Sequence, residues 1–349
     1  MSLLPLRVGL VGFGLAGRTL HAPFIQVLSG LELTAVVTSR EVDAKLFPSA
    51  RRVASFEELL KMDSIDLVVI ASPNAFHVRQ CLAALRAGKH VVCDKPLAET
   101  AVEVEQLMRV SEQVGRLLIP FQNRRWDGDF RTLQQLLSAG RLGQVHAFYS
   151  SWSKYQGMPR VRVAWKAEPA FNGPLWDLCP HLIDQAIVLW GKPQRLLGRI
   201  AQHRAQGTVH DYVHLTLLYS DGLEAVLEVD QLDAFGGRRL VLRGTRGSFD
   251  KRGFDPQESE LSAGRFPDTA DWGREAAEGW GALRLLQGDQ LIEERVETLP
   301  GDHRLFYHGV CAALAGGQPS PVALSDALLQ IRIIEAALKS QETQQIVHL

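Results

Sequence analysis

The chain has 349 residues, of which 46% are hydrophobic and 22% are charged, as in an ordinary globular protein. This length exceeds the usual size of a single hydrophobic core, so two domains are expected. The 38 lysines and arginines balance 39 aspartates and glutamates, which leaves no excess positive field to attract nucleic acid or an anionic membrane. The composition therefore argues against a partner of either kind.

The start of the chain and its cysteines bear on the compartment. Residues Met1 to Arg7 lack the basic region and apolar core of a secretory signal peptide. No segment has the uninterrupted apolar length needed to span a bilayer. The four cysteines lie far apart and form no C-x-x-C pair, so neither a zinc knuckle nor a redox dithiol is predicted. We expect a cytoplasmic protein with reduced thiols.

Two histidines, His210 and His214, have the i, i+4 spacing of some zinc sites. The surrounding apolar alternation favours a strand over a zinc-binding helix, and both a glutamate between the histidines and a third ligand are missing. We therefore expect no metal.

The first 122 residues alternate between apolar strands and helices. Strands are predicted at residues 7–11, 33–37, 66–71, 90–93 and 117–120, and helices at 19–28, 56–62, 77–87 and 102–114. Pro23 should interrupt the first helix, because proline cannot donate a backbone hydrogen bond. Continuous apolar strands separated by helices are typical of a parallel sheet covered on both faces, so residues 1–122 are predicted to form an α/β domain.

The pattern changes after about Asn123. Helices are predicted at residues 129–139, 176–189, 306–315 and 325–340, and strands at 213–219, 225–229, 239–242 and 346–348. Several strands follow one another without a helix between them, which favours a large, mostly antiparallel open sheet in an α+β domain of residues 123–349. Residues 253–289 are rich in glycine, proline and charge and show no period, so we predict an irregular segment there.

A glycine-rich sequence lies between the first strand and the first helix. It has the form G-x-G-x-x-G and consists of Gly12, Phe13, Gly14, Leu15, Ala16 and Gly17. A strand, this turn and a helix in that order are typical of a Rossmann dinucleotide-binding domain, where glycines allow the pyrophosphate to approach a helix N-terminus. The alternative is a glycine-rich turn that binds nothing.

The end of the second strand bears on which dinucleotide is bound. An NAD site has an acidic residue there to bind the ribose hydroxyls. Here the strand is followed by Ser39 and Arg40, with no carboxylate before Glu41. An arginine beside a hydroxyl suits a ribose 2′-phosphate, so NADP is predicted, with NAD as the alternative cofactor. Arg40 could instead be solvated or stack on adenine.

Further motifs resemble the glucose-fructose oxidoreductase and inositol dehydrogenase family, known as Gfo/Idh/MocA. They comprise residues 72–77 (SPNAFH), 94–96 (DKP), 123–127 (NRRWD), 173–185 (GPLWDLCPHLIDQ), 244–249 (GTRGSF), 255–258 (DPQE) and 332–337 (RIIEAA). The resemblance covers essentially the whole chain and is strongest to the subgroup that contains NADP-dependent scyllo-inositol dehydrogenases. The family usually has Glu-Lys-Pro where this chain has Asp94-Lys95-Pro96, a departure that keeps the charge and the lysine.

The resemblance implies a set of cofactor-binding residues beyond the glycine turn. They are Ser72, Pro73, Asn74, His77, Asp94 and Lys95, which join Ser39 and Arg40, predicted above from the end of the second strand. It also implies a catalytic role for Lys95, since the family's Lys-Pro bond is commonly cis and would direct the lysine towards the nicotinamide. Taken alone, a lysine at this position would more often be a solvated surface residue.

Asp177 and His181 lie four residues apart at the start of a predicted helix, so both could project from one face. From the residues alone, Asp177 could equally be a helix cap and His181 a packed core histidine. The resemblance implies substrate binding and proton transfer for both. His181 would take the hydroxyl proton, Lys95 would stabilise the alkoxide, and Asp177 would orient the histidine or bind a neighbouring hydroxyl.

Arg124 and Trp126 could line the substrate pocket, although a salt bridge and a core aromatic are equally consistent with the sequence. The substrate implied is a cyclic polyol or sugar. Alternatives are an NADPH-dependent reductase of another sugar or cyclic carbonyl, and a cofactor-sensing regulatory protein. We also expect a homodimer or homotetramer formed through the open sheet, with apolar positions in residues 213–229 exposed for that purpose.

Overall fold

The computed structural model describes residues 5–156, 171–205 and 207–349. The chain divides into two compact units. The first unit comprises Met1–Trp126, Pro256–Trp272 and Asp302–Leu328, and the second comprises Asp127–Asp255, Gly273–Gly301 and Leu329–Leu349. Two late stretches of the chain therefore belong to the first unit.

The described residues form fifteen strands and ten α-helices. The strands are β1 Leu6–Val11, β2 Leu31–Val37, β3 Arg51–Val53, β4 Leu67–Ile70, β5 His90–Cys93, β6 Leu118–Pro120, β7 Val145–Ser151, β8 Arg195–Ala201, β9 Tyr212–Leu218, β10 Glu224–Asp230, β11 Leu240–Gly244, β12 Gly247–Lys251, β13 Gly281–Gln287, β14 Gln290–Val296 and β15 Val347–His348. The helices are α1 Ala22–Val27, α2 Phe56–Leu60, α3 His77–Arg86, α4 Ala101–Val114, α5 Gly128–Ser138, α6 Pro174–Asp177, α7 Cys179–Trp190, α8 Gln257–Ser262, α9 Arg304–Leu314 and α10 Leu324–Thr343. No described helix is long and apolar enough to cross a membrane.

The sheet of the first unit has the order β3-β2-β1-β4-β5-β6, and all of its paired strands are parallel. This confirms the predicted Rossmann sheet. The chain turns from one half of the sheet to the other between β1 and β4, which is the point where open α/β sheets bind ligands at the carboxyl ends of their strands. The glycine turn and the residues after β4 and β5 all follow strands at or next to this point.

The core of the first unit includes residues from its late segments. Phe24 of α1 is fully buried and packs edge-on against Trp272, with ring centroids 6.4 Å apart. Phe306 and Tyr307 of α9 are also fully buried in the same apolar cluster. Pro23 lies at the start of α1, and the preceding Ala16–His21 is a π-helix. The predicted interruption of the first helix is therefore present.

The second unit contains a nine-stranded sheet in its described residues, with the order β14-β13-β12-β11-β7-β10-β9-β8-β15. Only the β7–β10 pair among these strands is parallel, which confirms the mostly antiparallel prediction. Side chains alternate along β9: Val213, Leu215 and Leu217 are fully buried, whereas Tyr212 and His214 are half-buried. Most apolar side chains of residues 213–229 therefore face the core, while Leu218 and Val226 on the other face are half-buried. The prediction of exposed apolar positions in this range is wrong, because none of them is exposed.

The structure differs from the sequence-based prediction in two further elements. Residues 253–289 were predicted to be irregular, but they contain α8 and strand β13, which pairs with β14 at the sheet edge. Alternation is hard to detect there because only Gly281 and Leu283 of β13 are buried. The helix predicted at 176–189 is two helices, since the chain breaks at Leu178 and α7 begins with Pro180 in its first turn.

Candidate active site

The glycine turn joins β1 to the π-helix and is shaped by close backbone contacts. Gly12 has φ +93°, and its amide donates to Val37 O at 3.1 Å. A Cβ on Gly12 would lie 2.5 Å from Ala71 O, and one on Gly17 would collide with Gly12 O. A Cβ on Gly14 would meet nothing within 4 Å. The first and third glycines are needed by the fold, while the second leaves open space in which a pyrophosphate fits.

The remaining residues of the turn differ in their surroundings. The Phe13 ring is buried and packs edge-on against Phe47 at 6.0 Å, so only its backbone is available to a nucleotide. The Leu15 side chain is 60% exposed, and Ala16 begins the π-helix. At the end of β2, Ser39 and Arg40 are both exposed, and the Arg40 amide donates to Thr38 Oγ1 at 3.0 Å.

The segment after β4 carries four of the predicted cofactor-binding residues. The half-buried Ser72 donates through Oγ to Gln80 Oε1 at 2.6 Å. Pro73 precedes a short 3-10 helix that starts at Asn74, and His77 then begins α3. The His77 ring is fully buried, and burial lowers its pKa. Its Nδ1 lies 2.8 Å from Pro96 O and its Nε2 lies 2.9 Å from Ser72 O.

Asp94, Lys95 and Pro96 follow β5 directly, and the Lys95-Pro96 peptide bond is cis, as the resemblance implies. The Asp94 amide donates to Ile70 O at 2.9 Å, and Asp94 Oδ1 accepts from the Lys95 amide at 2.8 Å. Burial raises the pKa of the Asp94 carboxyl, but His21, Lys95 and His77 outweigh this effect and hold that pKa below its usual value. Asp94 is therefore a carboxylate, and Lys95 is half-buried beside it.

His21 is a site-adjacent residue that the sequence analysis missed. Its ring is fully buried, with Nδ1 2.7 Å from Tyr307 Oη and Nε2 3.9 Å from Asp94 Oδ2. It also packs against Phe121 at a centroid distance of 4.1 Å. His21 ends a π-helix, and π-helices often occur at functional sites, but the sequence does not reveal this helix type. No sequence pattern links it to Tyr307, which lies in a late segment of the first unit.

Arg124 and Trp126 belong to the first unit and have partners within it. Arg124 is 6% exposed and forms an ion pair with Glu258. Trp126 packs edge-on against Phe306 at 5.7 Å. These contacts are those of the salt bridge and core aromatic that the sequence left as alternatives. Substrate binding by either residue stays a prediction.

The second unit holds the other two predicted catalytic residues. Asp177 is the last residue of α6 and is half-buried, and its amide donates to Gly173 O at 2.9 Å. His181 is the third residue of α7 and is 7% exposed. The Trp152 ring, at the end of β7, lies 5.9 Å from the His181 imidazole with 31° between the planes. Trp152 is thus the aromatic neighbour of the predicted base.

A buried arginine connects the elements that carry Trp152 and His181. Arg239 is 1% exposed and pairs with the equally buried Asp129, Nε to Oδ2, at 3.1 Å. It also donates to Ser150 Oγ on β7 at 2.8 Å and to Gln185 Oε1 on α7 at 3.0 Å. Its guanidinium carbon lies 5.3 Å from the centroid of the Trp152 ring. Arg239 therefore holds β7 and α7 together near the predicted base.

His210 fixes the start of α6. Its Nε2 accepts from the Leu175 amide at 2.9 Å. The ring also packs so closely on Gly173 that a Cβ at that position would lie only 2.7 Å from His210 Cε1. Burial lowers the pKa of His210 to about 4, so the ring is neutral near pH 7 and can accept this bond. His214, four residues after His210, has Nδ1 3.4 Å from Glu228 Oε2.

The site residues fall into two groups, one in each unit. The first unit brings together the glycine turn, residues 72–77 and residues 94–96 at the carboxyl ends of β1, β4 and β5. The second unit places Asp177 and His181 on the consecutive helices α6 and α7, with His181 beside Trp152. The first group thus contains the glycine turn and a lysine side chain, and the second contains an imidazole.

Comparison with known proteins agrees with these features. Residues 6–121 match an oxidoreductase family with an NAD-binding Rossmann fold, and residues 130–250 match the GFO/IDH/MocA C-terminal domain. The chain is 34% identical to the scyllo-inositol 2-dehydrogenase (NADP(+)) IolW of Bacillus subtilis, over 99% of this chain and 96% of that protein. It is 38% identical to the oxidoreductase YdgJ of Escherichia coli, over 96% of each.

The fold comparison is equally extensive. The solved structure of yvaA from Bacillus subtilis superposes with a TM-score of 0.95 at 34% identity and covers 100% of both chains. Sequence and fold thus agree over the full length of both units. This protein belongs to the Gfo/Idh/MocA family of NAD(P)-dependent oxidoreductases.

Proposed function

We propose that this protein is an NADP-dependent dehydrogenase of a cyclic polyol, with scyllo-inositol as the expected substrate. The observation that carries the proposal is the 34% identity, over nearly the whole of both chains, to a relative named scyllo-inositol 2-dehydrogenase (NADP(+)). Family membership accounts for the reaction class, which is dehydrogenation of a CH–OH group. The identity of the polyol and of the nucleotide is the proposed step.

The proposed residue roles follow from what oxidation of a secondary alcohol requires. Nicotinamide, when bound, supplies the carbon that accepts the hydride. The hydroxyl proton must leave at the same time, and the imidazole of His181 takes it from the hydroxyl oxygen. The Lys95 ammonium stabilises negative charge that develops on that oxygen. Asp177 orients His181 or binds a neighbouring hydroxyl.

The surroundings of each group support its proposed role. Lys95 is half-buried, and its backbone amide donates to Asp94 Oδ1 at 2.8 Å. His181 is 7% exposed and packed against Trp152, which limits the orientations that its ring can take. The Lys95 backbone and the His181 ring are therefore fixed before substrate arrives, which favours stabilisation of the transition state.

The preference for NADP is proposed from the end of β2. Arg40 is exposed there, beside the exposed hydroxyl of Ser39, and the first carboxylate after the strand is Glu41. A guanidinium binds phosphate through charge-assisted and often bidentate hydrogen bonds. Such a site favours a ribose 2′-phosphate over the free ribose hydroxyls of NAD.

The direct test is a panel of inositols, aldoses and glucosides, each assayed with NAD and with NADP. We expect turnover of scyllo-inositol with NADP at a higher kcat/KM than with any other pair. Faster turnover of an aldose would favour the alternative of a different sugar. Nucleotide binding without turnover of any polyol or reduction of any cyclic ketone would favour a cofactor-sensing regulatory protein and contradict the proposal.

We also propose that the protein is a homodimer or homotetramer associated through the open face of its large sheet. That face carries half-buried side chains of β9 and β10, including Tyr212, His214 and Glu228. Light scattering should then give a mass at least twice 38.7 kDa. A monomer at micromolar concentration would contradict this part of the proposal.

A further inference from the structure

We propose that His77 is a positioning residue for Lys95, acting through the backbone at the ends of β4 and β5. The inference rests on the function proposed above for Lys95. His77 opens α3, but both of its ring nitrogens face backbone oxygens of other segments: Pro96 O at 2.8 Å and Ser72 O at 2.9 Å. The imidazole thus connects the segment after β4 to the segment after β5.

The chemistry of the two contacts makes His77 the donor. Carbonyl oxygens only accept hydrogen bonds, and both distances are in the normal range for N–H···O bonds. Burial lowers the pKa of His77 and so favours the neutral imidazole, which has one N–H and donates to only one carbonyl. We assign the tautomer with the proton on Nδ1, which donates to Pro96 O. Because the ring is fully buried, water does not replace it as the donor.

The connection acts on the backbone that carries the ammonium. Lys95 lies between Asp94, whose Oδ1 accepts the Lys95 amide, and Pro96, whose carbonyl faces His77. The Asp94 amide is itself tied to Ile70 O of β4. With His77 present, hydrogen bonds fix the backbone on both sides of Lys95, at Asp94 and at Pro96. Without His77, the hydrogen bond to the Pro96 carbonyl is lost.

Burial also distinguishes this role from contact with the nucleotide, which the sequence motif suggested for His77. The ring is 0% exposed, and its two polar atoms are both directed at the chain itself. A residue that binds the nucleotide directly would change the dissociation constant for NADP when it is replaced. A positioning residue would change the turnover number and the rigidity of the 94–97 segment.

The test uses His77→Ala and His77→Gln, with His90→Ala as the matched control. His90 lies in the same sheet and accepts the Leu117 amide through Nδ1 at 3.0 Å, but it is at the amino end of β5, opposite to Lys95. His90→Ala therefore also removes a histidine hydrogen bond from this sheet. It leaves the segment after β5 in place.

Amide hydrogen exchange in the protein without nucleotide gives the first readout. For His77→Ala we expect exchange of peptides covering residues 94–97 to accelerate about fivefold, the equivalent of one lost hydrogen bond. The second readout is kinetic: kcat should fall about ten- to a hundredfold through misplacement of the lysine, with the dissociation constant for NADP within about twofold of wild type. His77→Gln has a side-chain amide that can donate, so it should restore part of the exchange protection and part of kcat. His90→Ala should change neither the exchange at residues 94–97 nor kcat.

Unchanged exchange at residues 94–97 in both His77 variants would overturn the proposal, as would a loss of NADP affinity with kcat preserved. If His77→Ala does not fold, the same two measurements on His77→Gln against His90→Ala decide it. The exchange measurement needs no substrate. A wild-type protein that oxidises no polyol would therefore defeat the proposed function while the exchange data still tested the His77 contact.

Discussion

The two units hold their predicted site residues in different ways. In the first unit, the glycine turn, residues 72–77 and residues 94–96 follow directly from parallel strands, so backbone hydrogen bonds to neighbouring strands fix them. In the second unit, Asp177 and His181 lie on the consecutive helices α6 and α7, and side chains from distant parts of the sequence contact α7. Local sequence therefore specifies the first group, and long-range packing specifies the second.

The largest expected effect is on the second group. His181→Ala should lower kcat about a hundred- to ten-thousandfold, because the variant lacks the base that takes the hydroxyl proton. A base must be unprotonated to act, so the wild-type rate should fall at acid pH, and this acid limb should disappear from the variant's kcat profile. The control is His146→Ala, an exposed histidine of β7. A His181→Ala protein with wild-type kcat would remove the second unit from the chemistry.

Arg239→Met tests whether long-range contacts hold the second group. The substitution leaves the Asp129 carboxylate, 1% exposed, without its cation, which should lower the free energy of unfolding by about 3 to 5 kcal/mol. The control is Arg284→Met, which breaks the exposed Arg284–Glu293 pair and should cost less than about 1 kcal/mol. Urea unfolding of both variants measures the difference. Equal losses would show that Arg239 is not the organising contact.

The pH dependence of stability reports on His210. Its pKa is about 4 in the folded protein and near 6.5 when exposed, so the unfolded chain binds the extra proton between these values. The contribution of neutral His210 to the free energy of unfolding is therefore fully present above pH 6.5 and is lost as the pH falls towards 4. At about 1.4 kcal/mol per pH unit it amounts to about 3 kcal/mol. His210→Gln should flatten the urea-unfolding profile over this range. The control His146→Gln should keep the wild-type slope.

The smallest effect is expected in the first unit, at Arg40. Arg40→Ala should raise the KM for NADP at least about tenfold and leave that for NAD nearly unchanged, since a hydrogen bond to a charged phosphate contributes about 1.5 to 3 kcal/mol. The exposed Arg18 of the π-helix provides a control substitution in the same unit. A wild-type preference for NAD, or an equal effect on both nucleotides, would contradict the proposed role of the β2 end.

The sequence predicted the first unit well because its signals are local. The apolar strands, the glycines at positions 12 and 17 and the Lys95-Pro96 motif each report on their own neighbourhood. Contacts between residues that are distant in the sequence were not predicted. Arg239 is 89 residues from Ser150 and 54 from Gln185, and His21 is 286 residues from Tyr307. Periodicity and motifs extend over far shorter stretches of sequence, so neither can predict contacts at such separations.

Within the second unit the fold class was predictable, but individual elements were not. Strand β9 alternates clearly, with Val213, Leu215 and Leu217 buried, whereas β14 is exposed along almost its whole length and carries no such pattern. The predicted helix at 176–189 crossed the break at Leu178, because its residues are apolar on both sides of the break. Burial of a helix on all sides removes the period that would have located its ends.

The most direct test of the central claim is the turnover of Lys95→Ala beside that of Lys61→Ala, an exposed lysine of the same unit. If Lys95 stabilises the developing alkoxide, its loss should lower kcat about a hundredfold or more while the dissociation constant for NADP changes little, because the missing interaction acts at the reacting oxygen. Lys61→Ala should behave as wild type. A folded Lys95→Ala protein that binds NADP and retains near-wild-type kcat would contradict the account.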